Sequence, residues 1–173
     1  MLRTKDILDE KDPRVRAKNT DVDFPLNDEY KDIIPEMLKH LRYSQIEKLS
    51  KKYDLRPGMG LAAPQLGINK NFFVVCYEVK DGVFDDYILI NPKVISYSEE
   101  MIYAGEGEGC LSVNREVEGI VPRHARITVE AYDLDGNKRK YRVREDLAIA
   151  FQHELDHLNG ILFVDYIDPK DPY

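Results

Sequence analysis

The stretch DLAIAFQHELDHLNG, residues 146–160, limits the fold more than any other part of the chain. It reads as a helix with Asn159-Gly160 as its stop, because a glycine just past the last turn readily takes the left-handed conformation that ends a helix. At ~100° per residue, Ala150, His153 and His157 share one face, with the two histidines one turn apart. Ile149, Gln152 and Asp156 lie on neighbouring faces. Two imidazoles so placed can hold one tetrahedral metal ion, while Glu154 borders the site without ligating. Ordinary helices also carry this spacing, with histidines solvated or hydrogen-bonded in a core, so five residues leave both readings open. Asp165 and Asp168 are the carboxylates close behind, and neither has a ligand context. A third ligand must come from elsewhere.

The rest of the chain predicts an α+β fold around that helix. Asp12 before Pro13 has the cap-then-proline form of a helix start. From about Asn27 to Tyr53, Ile33, Ile34, Met37, Leu38, Leu41, Ile46 and Leu49 recur at amphipathic-helix spacing, with Pro35 near the first turn or disturbing it. Short β-like runs follow: NFFVVCYEV, YILINPKVISY, GIVPR and RITVEAYDL. DLDGNKRKYRVR is expected to be a hairpin turning at Asp135-Gly136. No repeat or linker divides the 173 residues, a length suited to one core. The expectation is a single domain over 1–173, with antiparallel or mixed sheets packed around a central metal-binding helix.

Bulk properties narrow the partners and the location. The net charge is −7 and no basic block stands out from the interleaved acidic residues, which argues against nucleic-acid binding through phosphates and leaves room for a local basic patch. No apolar run approaches the ~20 residues that cross a bilayer. The segment MLRTKDILDEKDPRVR lacks the apolar region of a signal peptide, so the expected location is the cytoplasm. In that reducing compartment Cys76 and Cys110 are expected to be thiols or ligands rather than a disulfide.

Two further segments supply what the helix lacks. In GEGEGCLSV, residues 105–113, Cys110 sits among glycines and polar residues, whereas Cys76 lies inside the apolar run FFVVCYEV. Cys76 therefore reads as core and Cys110 as the third ligand. A thiolate and two imidazoles leave one tetrahedral position open, which is the catalytic rather than the structural arrangement. Gly107 and Gly109 let a backbone or substrate come close. In RPGMGLAAPQLG, residues 56–67, Gly58, Gly60 and the pair Ala62-Ala63 make a tight loop that another chain can approach, and Gln65 follows a stiffening proline. The loop has neither G-x-G-x-x-G spacing nor a Walker lysine, so phosphate binding has no support there.

Taken together, GMGLAAPQ, EGCLS and HELDH closely resemble the three motifs of the peptide deformylases, in their order and across essentially the whole chain. The resemblance implies hydrolysis of the formyl group from the N-terminal formyl-methionine of new polypeptides, with metal-activated water as nucleophile and release of formate. It implies that Cys110, His153 and His157 are the metal ligands and Glu154 the general acid/base. It implies oxyanion stabilisation by the Gln65 amide and the Leu111 backbone N–H. Gly60 and Gly109 are implied to contact the peptide backbone, with Met59, Glu108, Ile149 and Ala150 drawing the methionine pocket. The cofactor it implies is one divalent ion, Fe²⁺ in cells, with Ni²⁺, Co²⁺ or Zn²⁺ able to substitute.

The helical region before the first motif and EGCLSV without a following proline are similar to the Gram-positive subtype. The Gram-negative subtype carries a long C-terminal helix implicated in ribosome docking, and this sequence stops at Tyr173 without it. A transient ribosome association is expected, though not through such a helix, and the protein is expected to be a monomer. Arg115 is the nearest match to an arginine that some members set against the peptide, although VNREVEG is longer than the Gram-negative pattern. Two rival readings remain at this stage. A metallopeptidase would share the HE-x-x-H chemistry but seldom a thiolate ligand. A metal-stabilised binding protein would need four protein ligands and no spare carboxylate.

Overall fold

The computed structural model describes residues 1–173. Its scaffold is a five-stranded antiparallel sheet in the order β1 (Gly60–Ala62), β2 (Phe72–Lys80), β3 (Val83–Tyr97), β6 (Arg126–Tyr132) and β7 (Lys138–Arg144). A two-stranded ribbon pairs β4 (Met101–Ile102) with β5 (Arg123–His124). Three helices complete the fold: α1 (Asp28–Ser44), α2 (Glu47–Tyr53) and α3 (Glu145–Leu158).

Strand β2 shows why the sheet is covered on both sides. Phe72, Val74 and Cys76 face a cluster built with Ile34, Met37 and Leu41 of α1. Phe73 and Val75 face the opposite cluster, with Ala148 and Phe151 of α3. Successive strand side chains point to opposite faces, so a strand buried on both reads as an unbroken apolar run. Phe73 meets Phe151 edge-on, with centroids 5.7 Å apart. Such a pair adds ~0.5–1.5 kcal/mol beyond area burial.

The single helix expected from Asn27 to Tyr53 is two. Asn27 caps α1 by accepting the Glu29 N–H at 2.8 Å, and Pro35 lies in the helix interior rather than the first turn. The break falls at Gln45 and Ile46. There the Gln45 amide donates to the carbonyls of Gly58 (3.1 Å) and Cys76 (2.9 Å), tying the end of α1 to the loop before β1 and to β2. Asp12 does cap a start, accepting the Arg14 N–H at 3.0 Å, but only one 3-10 turn follows, Pro13–Val15. Of GIVPR, only Arg123 joins a ribbon, since Pro122 has no N–H to give.

Two expectations match the structure closely. The β6–β7 hairpin turns through Asp135-Gly136, where Gly136 has φ +81° and Asp133 Oδ1 accepts the N–H of both Asp135 and Asn137. Helix α3 ends at Asn159-Gly160, with Gly160 at φ +72°. The structure also locates the local basic patch that the net charge left open. Strand β7, KRKYRVR, holds five cations and no carboxylate, and it is an edge of the sheet. A net charge taken over the whole chain had averaged it away.

Candidate metal centre

Helix α3 and the turn at Cys110 bring the predicted ligands together. The ligand atoms of Cys110, His153 and His157 all lie within 4.8 Å of one another, with Cys110 Sγ 3.2 Å from His157 Nε2. One ion at ~2.0–2.3 Å from each donor fits such a cluster. The thiol and two imidazoles form the N/S set that borderline-soft divalent metals prefer.

A chain of ionic contacts behind the ligands orients them. His153 Nδ1 lies 2.8 Å from Glu108 Oε1, which leaves Nε2 to face the cluster. Glu108 in turn receives two hydrogen bonds of 2.9 Å from Arg123. Arg123 is only 3% exposed and also donates to Asp156 at 2.6 Å. Tyr166 closes the chain, its hydroxyl donating to Asp156 at 2.9 Å while the Arg123 guanidinium sits over its ring. A carboxylate on the far nitrogen fixes a ligating ring and raises its basicity. On the thiol side, Arg56 donates to the Cys110 carbonyl at 2.7 Å. Gln65 Nε2 lies 3.6 Å from Cys110 Sγ and donates to Ser112 Oγ at 3.0 Å, while its Oε1 accepts the Ala62 N–H. The Leu111 N–H donates to no protein group.

Burial sets the electrostatics. It pushes the Glu154 carboxyl up to about 7, with the charges of Glu108 and Asp156 adding to the rise and His153 opposing it. Glu154 Oε1 is buried without a hydrogen-bond partner. Its Oε2 stands 4.0 Å from His153 Nε2, at the border of the ligand cluster. Burial works to discharge His153, but hydrogen bonds with Cys110 and Glu108 outweigh it and hold that ring well above the usual histidine value. Burial, reinforced by the charge of His153, drives His157 well below it. Cys76 behaves as core: burial raises its thiol to about 12.

A cavity of about 810 Å³ opens in front of these groups. Met59, Gly60, Glu108, Gly109, Cys110, Leu111, Ile149, Ala150, His153 and Glu154 all line it. Gln65 and His157 lie behind that lining, both 1% exposed. Gly60 is required by close approach, since a Cβ there would stand 2.5 Å from Glu154 Oε2. Glu108 lines the cavity, but both its oxygens are engaged by His153 and Arg123, so its chemistry is that of a ligand support. Arg115 also reaches the lining, held by Glu10 through two 3.0 Å hydrogen bonds. Sequence reasoning missed Arg123, Tyr166 and Arg56, and set Asp156 only on a neighbouring face. The one available signal was a charged residue within the otherwise apolar GIVPR.

Fold and centre together define a class: a small α+β metalloenzyme with three protein ligands, a buried carboxyl beside them and an open substrate cavity. Known proteins agree. A family model described as Polypeptide deformylase matches residues 4–173. A peptide deformylase of Macrococcus caseolyticus is 50% identical, over 99% of this chain and 94% of its own length. One of Oceanobacillus iheyensis is 46% identical, over 100% of this chain and 94% of its own. Among solved structures, a peptide deformylase from Thermotoga maritima covers 94% of this chain and 97% of its own, at 33% identity and a TM-score of 0.72. A probable peptide deformylase from Synechococcus phage S-SSM7 covers 93% and 98%, at 35% identity and a TM-score of 0.77. The chain belongs to the polypeptide deformylase family, a family of metal-dependent hydrolases.

Proposed function

We propose that the protein removes the formyl group from the N-terminal formyl-methionine of newly made polypeptides, with Glu154 as general acid/base. The observation that carries this reading is Glu154 itself: buried, unpartnered at Oε1, and raised to about 7 beside the ligand cluster. A proton-transfer group works best with a pKa near the operating pH. Cys110, His153 and His157 would hold a divalent ion, which would supply Lewis acidity to lower the pKa of a water and polarise the formyl carbonyl. Glu154 takes the proton from the attacking water and passes it to the departing amine. The Leu111 N–H and the Gln65 amide donate toward the oxygen on which negative charge grows, and losing one such donor costs ~10²–10³ in rate. Gly60 and Gly109 offer backbone to an extended peptide, whose main-chain bonds carry affinity with little sequence preference.

The Met59, Ile149 and Ala150 wall supports a methionine-sized apolar pocket. Burying such a side chain is worth ~1.5–3 kcal/mol. Iron(II) is the proposed resident in cells; nickel, cobalt and zinc suit the same donors, and Irving–Williams ordering favours nickel and zinc over iron. All three ligands, the base and the pocket walls come from one chain, which supports a working monomer. No helix is long and apolar enough to cross a membrane, and the substrate supports a cytoplasmic location with transient ribosome contact.

The test is kcat/KM for formate release across formyl-peptides varied only at the first residue. Formyl-norleucine should match formyl-methionine closely, and formyl-Asp or formyl-Gly should fall by about tenfold or more. A flat profile, or no formate from any of them, overturns the reading.

A further inference from the structure

Strand β7 is the most basic segment of an acidic protein, and its charges are not scattered. Arg144 stands directly opposite Arg126 of β6, and Arg142 opposite Thr128, which in turn pairs with Ser96 of β3. These residues share one face of the sheet and, with Ser98, line a second cavity of about 490 Å³, separate from the metal centre. Like charges directly opposite on neighbouring strands destabilise a sheet, so the Arg126–Arg144 pair costs stability where it stands. Nearby carboxylates answer only part of the charge. Glu130 lies near Lys138 and Lys140, Asp133 pairs with Arg139, and Glu100 pairs with Arg126 at 2.6 Å. Arg142 and Arg144 are exposed and make no ion pair or hydrogen bond through their side chains. Tyr97, which lines the same cavity, is 64% exposed.

We propose that this open face of β6 and β7 docks the phosphate backbone of a structured RNA, gripped by Arg126, Arg142 and Arg144. Same-face residues of a strand are spaced by ~7 Å, close to the separation of successive phosphates on one strand. Guanidinium forks bind phosphate oxygens in pairs, and the Ser96 and Thr128 hydroxyls add donors between them. The exposed Tyr97 ring offers stacking to an unpaired base. The chain's net charge of −7 describes the whole surface, whereas docking responds to the local field. Strand β7 runs directly into α3, whose Asp146 lines the catalytic cavity. That link matters if the substrate is a nascent chain leaving an RNA-rich particle, a point that rests on the deformylase reading.

The experiment measures fluorescence anisotropy of a fluorescein-labelled RNA hairpin with the metal-loaded protein at about 50 mM salt and upward. Wild type should bind, and Arg142→Glu/Arg144→Glu should weaken binding at least tenfold. The slope of log K against log salt should fall by ~1 for each arginine removed. Arg142→Gln/Arg144→Gln should show the same loss in milder form and covers the case in which the charge reversal fails to fold. Turnover of a free formyl-dipeptide should be unchanged in both, so failure of docking and failure of the deformylase reading separate cleanly. Equal RNA binding by wild type and variants overturns the proposal. So does tighter binding of wild type to phosphatidylcholine/phosphatidylglycerol vesicles than to the hairpin.

Discussion

Gly60→Ala adds one methyl group at the most crowded point of the centre. Its Cβ would stand 2.5 Å from Glu154 Oε2 and 2.8 Å from the carboxyl carbon, where ordinary contact begins near 3.4 Å. Strand β1 cannot retreat, because Leu61 and Ala62 beside it are fully buried and Gly60 is in register with Val75 of β2. The carboxylate must therefore move by about 0.9 Å to regain contact distance. A displacement of ~1 Å at a catalytic group costs on the order of 10²-fold in rate. The assay is formate release from a formyl-Met dipeptide, with bound metal and melting temperature measured on the same sample. We expect kcat to fall about 10²-fold with KM little changed, the pattern of an interaction made in the transition state. Metal content should stay at the wild-type level, since Gly60 approaches Glu154, the proposed base, and none of Cys110, His153 and His157. A kcat within about threefold of wild type in a folded, metal-loaded variant would refute the reasoning. A raised KM at constant kcat would instead mean that Gly60 acts only through the peptide backbone.

Two further outcomes follow from the buried groups. Replacing Arg123 by Met leaves Glu108 and Asp156 without their shared cation; removing one partner of a buried ion pair typically costs ~3–5 kcal/mol, read as a lower denaturant midpoint together with weaker metal retention. Cys76 tests the alkaline side: burial raises its pKa from 9.0 to about 12, so the folded state holds the proton more tightly than the unfolded one. Its contribution is therefore complete below pH 9 and is lost as pH rises toward 12, and Cys76→Ala should flatten the fall in melting temperature just above pH 9, before most tyrosines ionise. An unchanged alkaline slope would contradict the assignment.

How much of this was legible in the sequence depended on the kind of signal. Helix α3 and the β6–β7 hairpin were readable because periodicity, a glycine stop and an Asp-Gly turn are local. The break between α1 and α2 was not, because Gln45 is held by carbonyls of Gly58 and Cys76, far along the chain. The candidate ligands and Glu154 stood in two compact motifs, EGCLS and HELDH, and the fold converges them. The Arg123–Asp156–Tyr166 chain has no period and joins residues on a ribbon, a helix and a C-terminal turn, so only coordinates reveal it. The basic face of β7 was lost for the opposite reason: its residues are contiguous, but a net charge averages over the chain and conceals which strand carries it.

The most direct test of the account is Glu154→Gln, assayed for formate release and metal content together. The side chain keeps its size and is outside the Cys110, His153 and His157 group, so the variant should bind one divalent ion per chain as wild type does, bind a formyl-peptide inhibitor unchanged, and lose ~10²–10⁴-fold in kcat. A variant that releases formate at the wild-type rate would contradict the central claim, as would one whose activity is restored simply by resupplying metal.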